Sequence, residues 1–244
     1  MQAVLLAAGM ATRLRPLTDE SPKCLLDVGG KSILERALGE LFSVGVDELV
    51  IVTGYRSAMI REHVSSRFPG LPVRWVHNGR FAETNNAYSL MLTESAVPGE
   101  FLLLDGDILF PAMLIRALVE HKGRPCLALS RHECGEEEIK VECDSSGLVV
   151  DISKTVDTAK AVGESIGFEL FDEGTRNSLF GTLHKRVVDE RRENEFYEAS
   201  FKEMIEGGLA FHAVDTTPFL AMEIDTIEDL ENARKTFLPK VLAS

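Results

Sequence analysis

No apolar run in this 244-residue chain approaches the roughly 20 residues needed to cross a bilayer. The N-terminus also has no basic segment followed by a signal-like apolar core. The expectation is a cytoplasmic protein without membrane insertion. Cysteine is scarce: Cys24, Cys126, Cys134 and Cys143 stand apart with no C-x-x-C pair, so neither a disulfide framework nor a zinc site is indicated. They read as small buried or half-buried residues. Positive charge is short as well, with 26 Lys and Arg against 39 Asp and Glu and a formal net charge of -13. That balance argues against nucleic acid or an acidic membrane surface as a partner, because both are polyanions. The six histidines, His77, His132 and His212 among them, form no spacing that demands a catalytic role.

What is present is ordinary for a globular chain with a full core: 45% hydrophobic and 27% charged residues. The length suits one large α/β domain, expected to run over 1–244. Apolar runs at 4–6, 48–53 and 73–77 alternate with amphipathic stretches. One stripe comprises Ile33, Leu34, Ala37, Leu38, Leu41 and Phe42, closed by Gly45. A weaker one runs through Met59, Ile60 and Val64 over 57–68. The β-α-β-α-β order predicts a doubly wound, mostly parallel, Rossmann-like sheet with right-handed crossovers.

The stretch from Ala3 to Lys23, AVLLAAGMATRLRPLTDESPK, organises the rest. A short unalternating apolar run suits a strand buried on both faces. Ala7, Ala8 and Gly9 then end it with small residues whose backbone N–H groups can approach phosphate oxygens, and Leu6, last of the apolar run, joins them as a nucleotide-binding candidate. Arg13, Arg15 and Lys23 follow in a loop broken by Pro16 and Pro22, which brings cations to the carboxyl end of the first strand, where open α/β sheets bind ligands. The loop reads as a triphosphate cradle. On an acidic background, a divalent metal together with this local basic loop is the expected answer to a nucleotide's charge.

This pattern of LAAG, a small residue, Arg-Leu and then Pro-Lys resembles the signature loop of the nucleotidyltransferases that join a nucleoside triphosphate to a sugar phosphate or small phosphorylated alcohol. Many members carry glycine where this chain has Ala11. The resemblance implies the GT-A-like nucleotidyltransferase fold, with residues 1–130 mainly holding the nucleotide and 131–244 mainly the acceptor. It implies Arg13 and Lys23 as catalytic cations, the first on the leaving pyrophosphate and the second bridging the α-phosphate and the acceptor.

Further along, NGRFAETNNAYSLML sets a polar loop before a short helical run. Capping explains one of Asn85 and Asn86 but not both. By resemblance Asn85, Asn86 and Ser89 are candidates to read the nucleobase or bind the acceptor. FLLLDGDILF runs a buried strand straight into Asp105 and Asp107, carboxylates that are desolvated unless a cation binds them. Magnesium favours such hard oxygen ligands. Asp107 matches the metal-binding aspartate of the family, with Asp105 in support on the nucleotide side. Two helix-capping aspartates before Pro111 are the bland alternative. That helix is expected over 111–121, with Leu114, Ile115, Leu118 and Val119 inward and Gly123 at its end.

From Glu138 the pattern changes to an antiparallel hairpin excursion, IKVEC, DSSG and LVVDIS. Lys154 closes it at the position where the resembled enzymes contact the acceptor phosphate, although a lone lysine after a strand is usually only solvated. GESIGFELF resembles the strand passing the acceptor pocket, which makes Glu164 and Phe168 candidates. The stripe Leu179, Leu183, Val187 and Val188 predicts a helix over 172–192. In NEFYEASF, Tyr197 and Glu198 set an aromatic face beside a carboxylate, as a trimethylammonium or amine group prefers. A core helix with an exposed acidic edge would read the same way. Strands are expected over 209–214 and 219–224, with Thr226 capping a closing helix. Asp225 matches the second metal-binding aspartate, and Glu223 shares its strand face two residues earlier. No hexapeptide repeat follows, so the acyltransferase-type solenoid of some relatives is not expected here.

Across most of its length the chain is most similar to the bacterial phosphocholine cytidylyltransferase-like enzymes. The partners so implied are CTP and a small phosphorylated acceptor such as phosphocholine, with magnesium as cofactor; a homodimer is compatible with this. The same resemblance leaves open 2-aminoethylphosphonate or inositol phosphate with CTP, and a sugar 1-phosphate with UTP, GTP or dTTP. A catalytically silent nucleotide-binding regulator is the reading of another class, against which the joint retention of Arg13, Lys23, Asp107 and Asp225 argues.

Overall fold

The computed structural model describes residues 1–121 and 124–243. Strand β1 (Gln2–Ala7) sends Val4 and Leu6 into one apolar cluster and Ala3 and Leu5 into another, so a continuous apolar run is what a strand covered on both faces requires. A loop then leads to the two-residue strands β2 (Asp27–Val28) and β3 (Lys31–Ser32), paired antiparallel around Gly29 and Gly30. Helix α1 (Ile33–Ser43) starts on a capping box, in which the Ser32 hydroxyl accepts from Glu35 N at 3.0 Å and the Glu35 carboxylate accepts from Ser32 N at 2.9 Å. Gly45, at φ 86, follows its end.

β4 (Glu48–Thr53), α2 (Ser57–Arg67) and β5 (Val73–His77) complete the first parallel units. Ile60 and Val64 of α2 are buried, but Met59 is exposed, one position off the two-residue stripe that faces the sheet. After α3 (Asn86–Met91) come β6 (Phe101–Asp105), β7 (Ile108–Leu109) and α4 (Ala112–Val119), then β8 (Cys126–Ser130). Gly123, expected to close α4, lies outside the described residues. β9 (Lys140–Cys143) and β10 (Val149–Ser153) form the expected hairpin. β11 (Gly163–Phe171) and α5 (Glu173–His184) follow, and α5 runs into a wider turn over Lys185–Asp189. Val187 is buried there, whereas Val188 is 54% exposed and does not belong to the apolar stripe. α6 (Glu198–Glu206), β12 (His212–Asp215), β13 (Met222–Glu223), α7 (Ile227–Asn232) and α8 (Leu238–Ala243) close the chain.

One sheet of nine strands carries the molecule, with its main path running β10-β9-β11-β6-β1-β4-β5 and β8 pairing both β11 and β12. The pairs β6·β1, β1·β4 and β4·β5 are parallel, while β11 is antiparallel to β6, β8 and β9. β11 serves two neighbourhoods: Phe168–Phe171 pair with β6, and Gly163 and Glu164 pair with β9. Its register with β8 shifts between Ser165 and Glu169, where Gly167 adopts φ 72 and a Cβ would meet the Asp105 carboxylate at 2.9 Å. A third, smaller apolar cluster joins Leu14, Leu26, Val28 and Ile33 to Leu109, Ile224, Leu230 and Leu238, fastening the basic loop to the last helices. Among the described residues, no helix is long and apolar enough to cross a membrane.

Candidate active site

A cleft of about 850 Å³ opens at the carboxyl ends of β1 and β6, where the direction of chain travel in the sheet reverses. Leu6, Ala7, Ala8 and Gly9 line it. A Cβ built on Gly9 would meet nothing within 4 Å, so no internal packing demands glycine there and the space is open to a ligand. Ala11 adopts the left-handed conformation, φ 47 and ψ 55, which is the backbone glycine would take at this position. The Thr18 hydroxyl donates to the Ala11 carbonyl at 2.8 Å and ties off the loop.

That closure brings both cations onto one carboxylate. Arg13 Nη2 lies 2.6 Å from Asp225 Oδ2, and Lys23 Nζ lies 2.7 Å from Asp225 Oδ1 and 2.8 Å from Asp107 Oδ2. The carboxylates converge because β13 pairs antiparallel with β7, and Ile224 N donates to the Asp107 carbonyl at 3.1 Å. Asp225 is held by the cap of α7: the Asp229 carboxylate accepts from Asp225 N at 3.1 Å and Thr226 N at 2.7 Å. Burial pulls the Lys23 ammonium down, but Asp107 and Asp225 outweigh it and the net shift is upward. Burial likewise pushes Asp225 up, and Lys23 and Arg13 reverse that to hold it low. Glu223 is exposed along its side chain, but the desolvation of its carboxyl in the crowded cleft, and then the Asp107 and Asp225 charges, raise it to about 8.

Asp107, Glu223 and Asp225 each offer a carboxylate oxygen, and these atoms lie within 4.8 Å of one another. Asp107 Oδ1 is buried without a hydrogen-bond partner. Three hard oxygen donors, one of them orphaned, fit a divalent cation. Deeper in, Tyr197 Oη donates to Asp105 Oδ2 at 2.9 Å. Burial, and then the charges of Asp107 and Glu198, raise the Asp105 carboxyl well above the usual range.

The chain from 3 to 149 matches the model of the MobA-like NTP transferase domain. The chain belongs to that family. As an NTP transferase it is 31% identical, over 96% of its length, to a bifunctional IPC transferase and DIPP synthase of Aquifex aeolicus. It is 27% identical over 98% of its length to a CMP-5'-(3-aminopropyl)phosphonate synthase of Streptomyces rubellomurinus. The chain spans 51% of the first relative's length and 39% of the second's. The CTP:phosphocholine cytidylyltransferase of Streptococcus pneumoniae shares the fold at a TM-score of 0.78, with 23% identity over 97% of this chain and 98% of that one. The chain therefore carries an NTP transferase domain built on a mostly parallel α/β sheet.

Of the residues singled out from the sequence, Arg13, Lys23, Asn85, Asn86, Ser89, Asp105, Asp107, Lys154, Glu164, Glu198 and Asp225 all line this transferase's cleft. Both asparagines also hold the chain together. Asn85 caps α3, accepting from Asn86 N at 2.8 Å, while Asn86 Oδ1 accepts from Tyr197 N at 2.9 Å. The second bond is the reason for the pair that capping alone left without one. Arg80 adds a two-pronged bridge to Glu193 at 2.7 and 2.6 Å, so the Asn loop and the segment before α6 form one wall.

Phe168 and Tyr197 need correction. Phe168 pairs with Leu104 in mid-sheet, has no exposure and packs edge-on against Phe110 at 4.7 Å, so its ring cannot reach an acceptor. The Tyr197 ring is also fully buried, drawn inward by the Asp105 bond and by Phe201 at 5.0 Å. The exposed aromatic of that segment is Phe196, which lines the cleft. Sequence reading passes over Asn78, Phe81 and Glu138, which also line it. Asn78 directly follows a strand end, a position that could have marked it. The fully buried Glu169, one residue beyond Phe168, had its signal in an acidic residue set between Phe168 and Leu170 in the apolar second half of the strand.

Proposed function

We propose that the chain transfers a cytidylyl group from CTP to a small phosphorylated alcohol or amine, of which phosphocholine is one, and releases pyrophosphate. The observation that carries this reading is the Lys23 ammonium seated between Asp107 and Asp225 beside the Gly9 opening. The CMP product in one relative's name and the CTP in another's favour cytosine as the base.

In the reaction an acceptor phosphate oxygen attacks the α-phosphorus in line. The bond from that phosphorus to the bridging oxygen breaks, and pyrophosphate leaves with the electron pair. A phosphate nucleophile needs little deprotonation near neutrality, so the chain's task is to bring two anions together and offset their charge. Lys23 moves from its carboxylates onto the α-phosphate and the incoming oxygen. Arg13, more exposed, takes the leaving pyrophosphate. The backbone from Leu6 to Gly9 cradles the triphosphate. Asn85 and Ser89 stand on the base side; Asn86, its carbonyl committed to Tyr197, has its amide N–H groups to offer. Asp105 supports that side, and Lys154 receives the acceptor phosphate. Residues 1–130 thus serve mainly the nucleotide and 131–244 mainly the acceptor, with Glu164 and Glu198 facing the acceptor's head. Asp107 and Asp225, with Glu223, would hold a magnesium ion whose charge offsets that of both phosphates.

Pyrophosphate release tests this, with magnesium and each of four nucleoside triphosphates crossed against phosphocholine, aminoethylphosphonate, inositol 1-phosphate and glucose 1-phosphate. Release with CTP and a small phosphorylated alcohol or amine is expected. Release only with a sugar 1-phosphate and another nucleotide would replace both substrates while keeping the chemistry. No release in any combination would put a silent nucleotide-binding regulator in its place.

A further inference from the structure

We propose that Lys140, buried beside the cleft, is a positioning residue for the acceptor: its ammonium gathers the carbonyls of loop 135–138 and so sets the wall from which Glu137 meets Lys154. The proposal rests on the nucleotidyl transfer proposed above and adds a residue that this transfer needs away from the reacting atoms.

Lys140 opens β9 and is 2% exposed, which is rare for a lysine. Its Nζ donates to the carbonyl oxygens of Gly135 at 3.1 Å, Glu136 at 3.2 Å and Glu138 at 3.5 Å. An ammonium has three N–H bonds, and here each has a carbonyl to meet. Long cationic side chains usually carry the charge out to water. This one spends it on neutral oxygens of a single loop. The lysine itself stands on a rigid element, because it pairs opposite Ser153 of β10 and Glu164 of β11.

The loop needs such a centre. Residues 131–138 form neither helix nor strand, and among the described residues no backbone hydrogen bond joins 132–138 to another part of the main chain. Its ends are tied, since Arg131 N donates to Thr217 Oγ1 at 2.8 Å and the Ile139 carbonyl accepts from Ser165 N at 2.9 Å. Between those ties, His132, Glu137 and Glu138 line the cleft. Without the ammonium, the carbonyls of Gly135, Glu136 and Glu138 would face a site with no donor, and the loop would satisfy them by swinging out to water. Glu137 lies between two of the held residues, and its carboxylate is 3.1 Å from Lys154 Nζ, the group assigned above to the acceptor phosphate. Its side chain is 94% exposed and is not held by packing, so the main chain at 136 and 138 decides where the carboxylate reaches.

The test compares Lys140→Met and Lys140→Arg with the parent, using the full chain, CTP, magnesium and whichever acceptor gives the fastest release in the crossed assay above. In Lys140→Met the acceptor KM should rise about tenfold, while kcat and the CTP affinity, measured by calorimetry without acceptor, stay within about twofold, because the reacting groups keep their places. Hydrogen exchange should quicken at amides 132–138 and stay unchanged over the basic loop 9–23. Lys140→Arg, which returns cationic donors to the same carbonyls, should bring the KM back to within about threefold of the parent. Should Lys140→Met not fold, Lys140→Gln, with two donors for the three carbonyls, carries the same test. An acceptor KM that does not move overturns the proposal, and so does unaltered exchange at 132–138. An equal loss of CTP and acceptor affinity also overturns it, because the lysine would then support the fold at large. Absence of release by the parent with every acceptor defeats the transfer reading itself, and the acceptor role of Lys140 with it.

Discussion

Glu169 is a fully buried carboxyl in the middle of β11, and replacing it with glutamine should stabilise the protein increasingly as the pH rises. Its Oε1 is 3.5 Å from the Ser165 hydroxyl and its Oε2 has no partner. Burial, then the nearby carboxylates of Glu198 and Asp105, raise it well above its ordinary value of 4.5. Below that value the group is protonated whether the chain is folded or not. Above it the unfolded chain releases the proton and the folded chain keeps it, so stability drains away up to the raised folded value, at about 1.4 kcal/mol per pH unit. Glutamine has no proton to lose. The advantage of Glu169→Gln over the parent should therefore widen by about 1.4 kcal/mol per unit, or roughly 3–5 °C in Tm for a domain of this size. Thermal melts of both proteins at pH 5, 6 and 7 measure it, and titrations common to both cancel in the difference. Any fixed cost of the amide shifts all three points equally. A Tm difference that does not change across those pH values refutes the account, because it would mean that Glu169 ionises in the folded state as readily as in the unfolded one.

Lys23→Met should lower kcat by about 10²–10³ with a smaller change in the KM for CTP, since an ammonium that acts on the developing charge is felt mainly in turnover; a rise in KM alone would make Lys23 a simple binder. Magnesium affinity, followed by titration calorimetry, should strengthen as the pH is raised toward about 8 and then level off, because Glu223 must shed its proton to ligate; affinity that is flat from pH 6 to 8 would remove Glu223 from the ligand set. At Ala11, glycine should be neutral or stabilise by up to about 1 kcal/mol, whereas valine should cost about 1–3 kcal/mol, because φ 47 is hard on a branched side chain. A valine variant that melts with the parent would show that this turn is not left-handed in solution.

The sheet was legible because buried parallel strands announce themselves as unbroken apolar runs. β1, β4 and β6 are such runs, and the acids at the end of β6 stood out against theirs. The convergence of Asp107 with Asp225 could be expected only through resemblance, since no local pattern shows that β7 and β13 pair across more than a hundred residues. Phe168 shows where local reading fails. Beside Glu164 in the sequence it looks like a pocket residue, but β11 changes neighbours at Gly167, and beyond that point both faces of the strand are covered. Tyr197 fails differently: an aromatic next to an acid looks available to a ligand until Asp105, ninety-two positions away, claims its hydroxyl.

Arg13 and Asp225 are 212 positions apart. During synthesis the basic loop emerges 212 positions ahead of its carboxylate partner beyond β13. A nascent chain therefore presents Arg13 and Lys23 without their Asp225 bonds until that stretch is made, on a sequence that is otherwise acidic. The cradle acquires its closing contacts only when β13 threads in beside β7, so the competence of the site waits on that one long-range pairing.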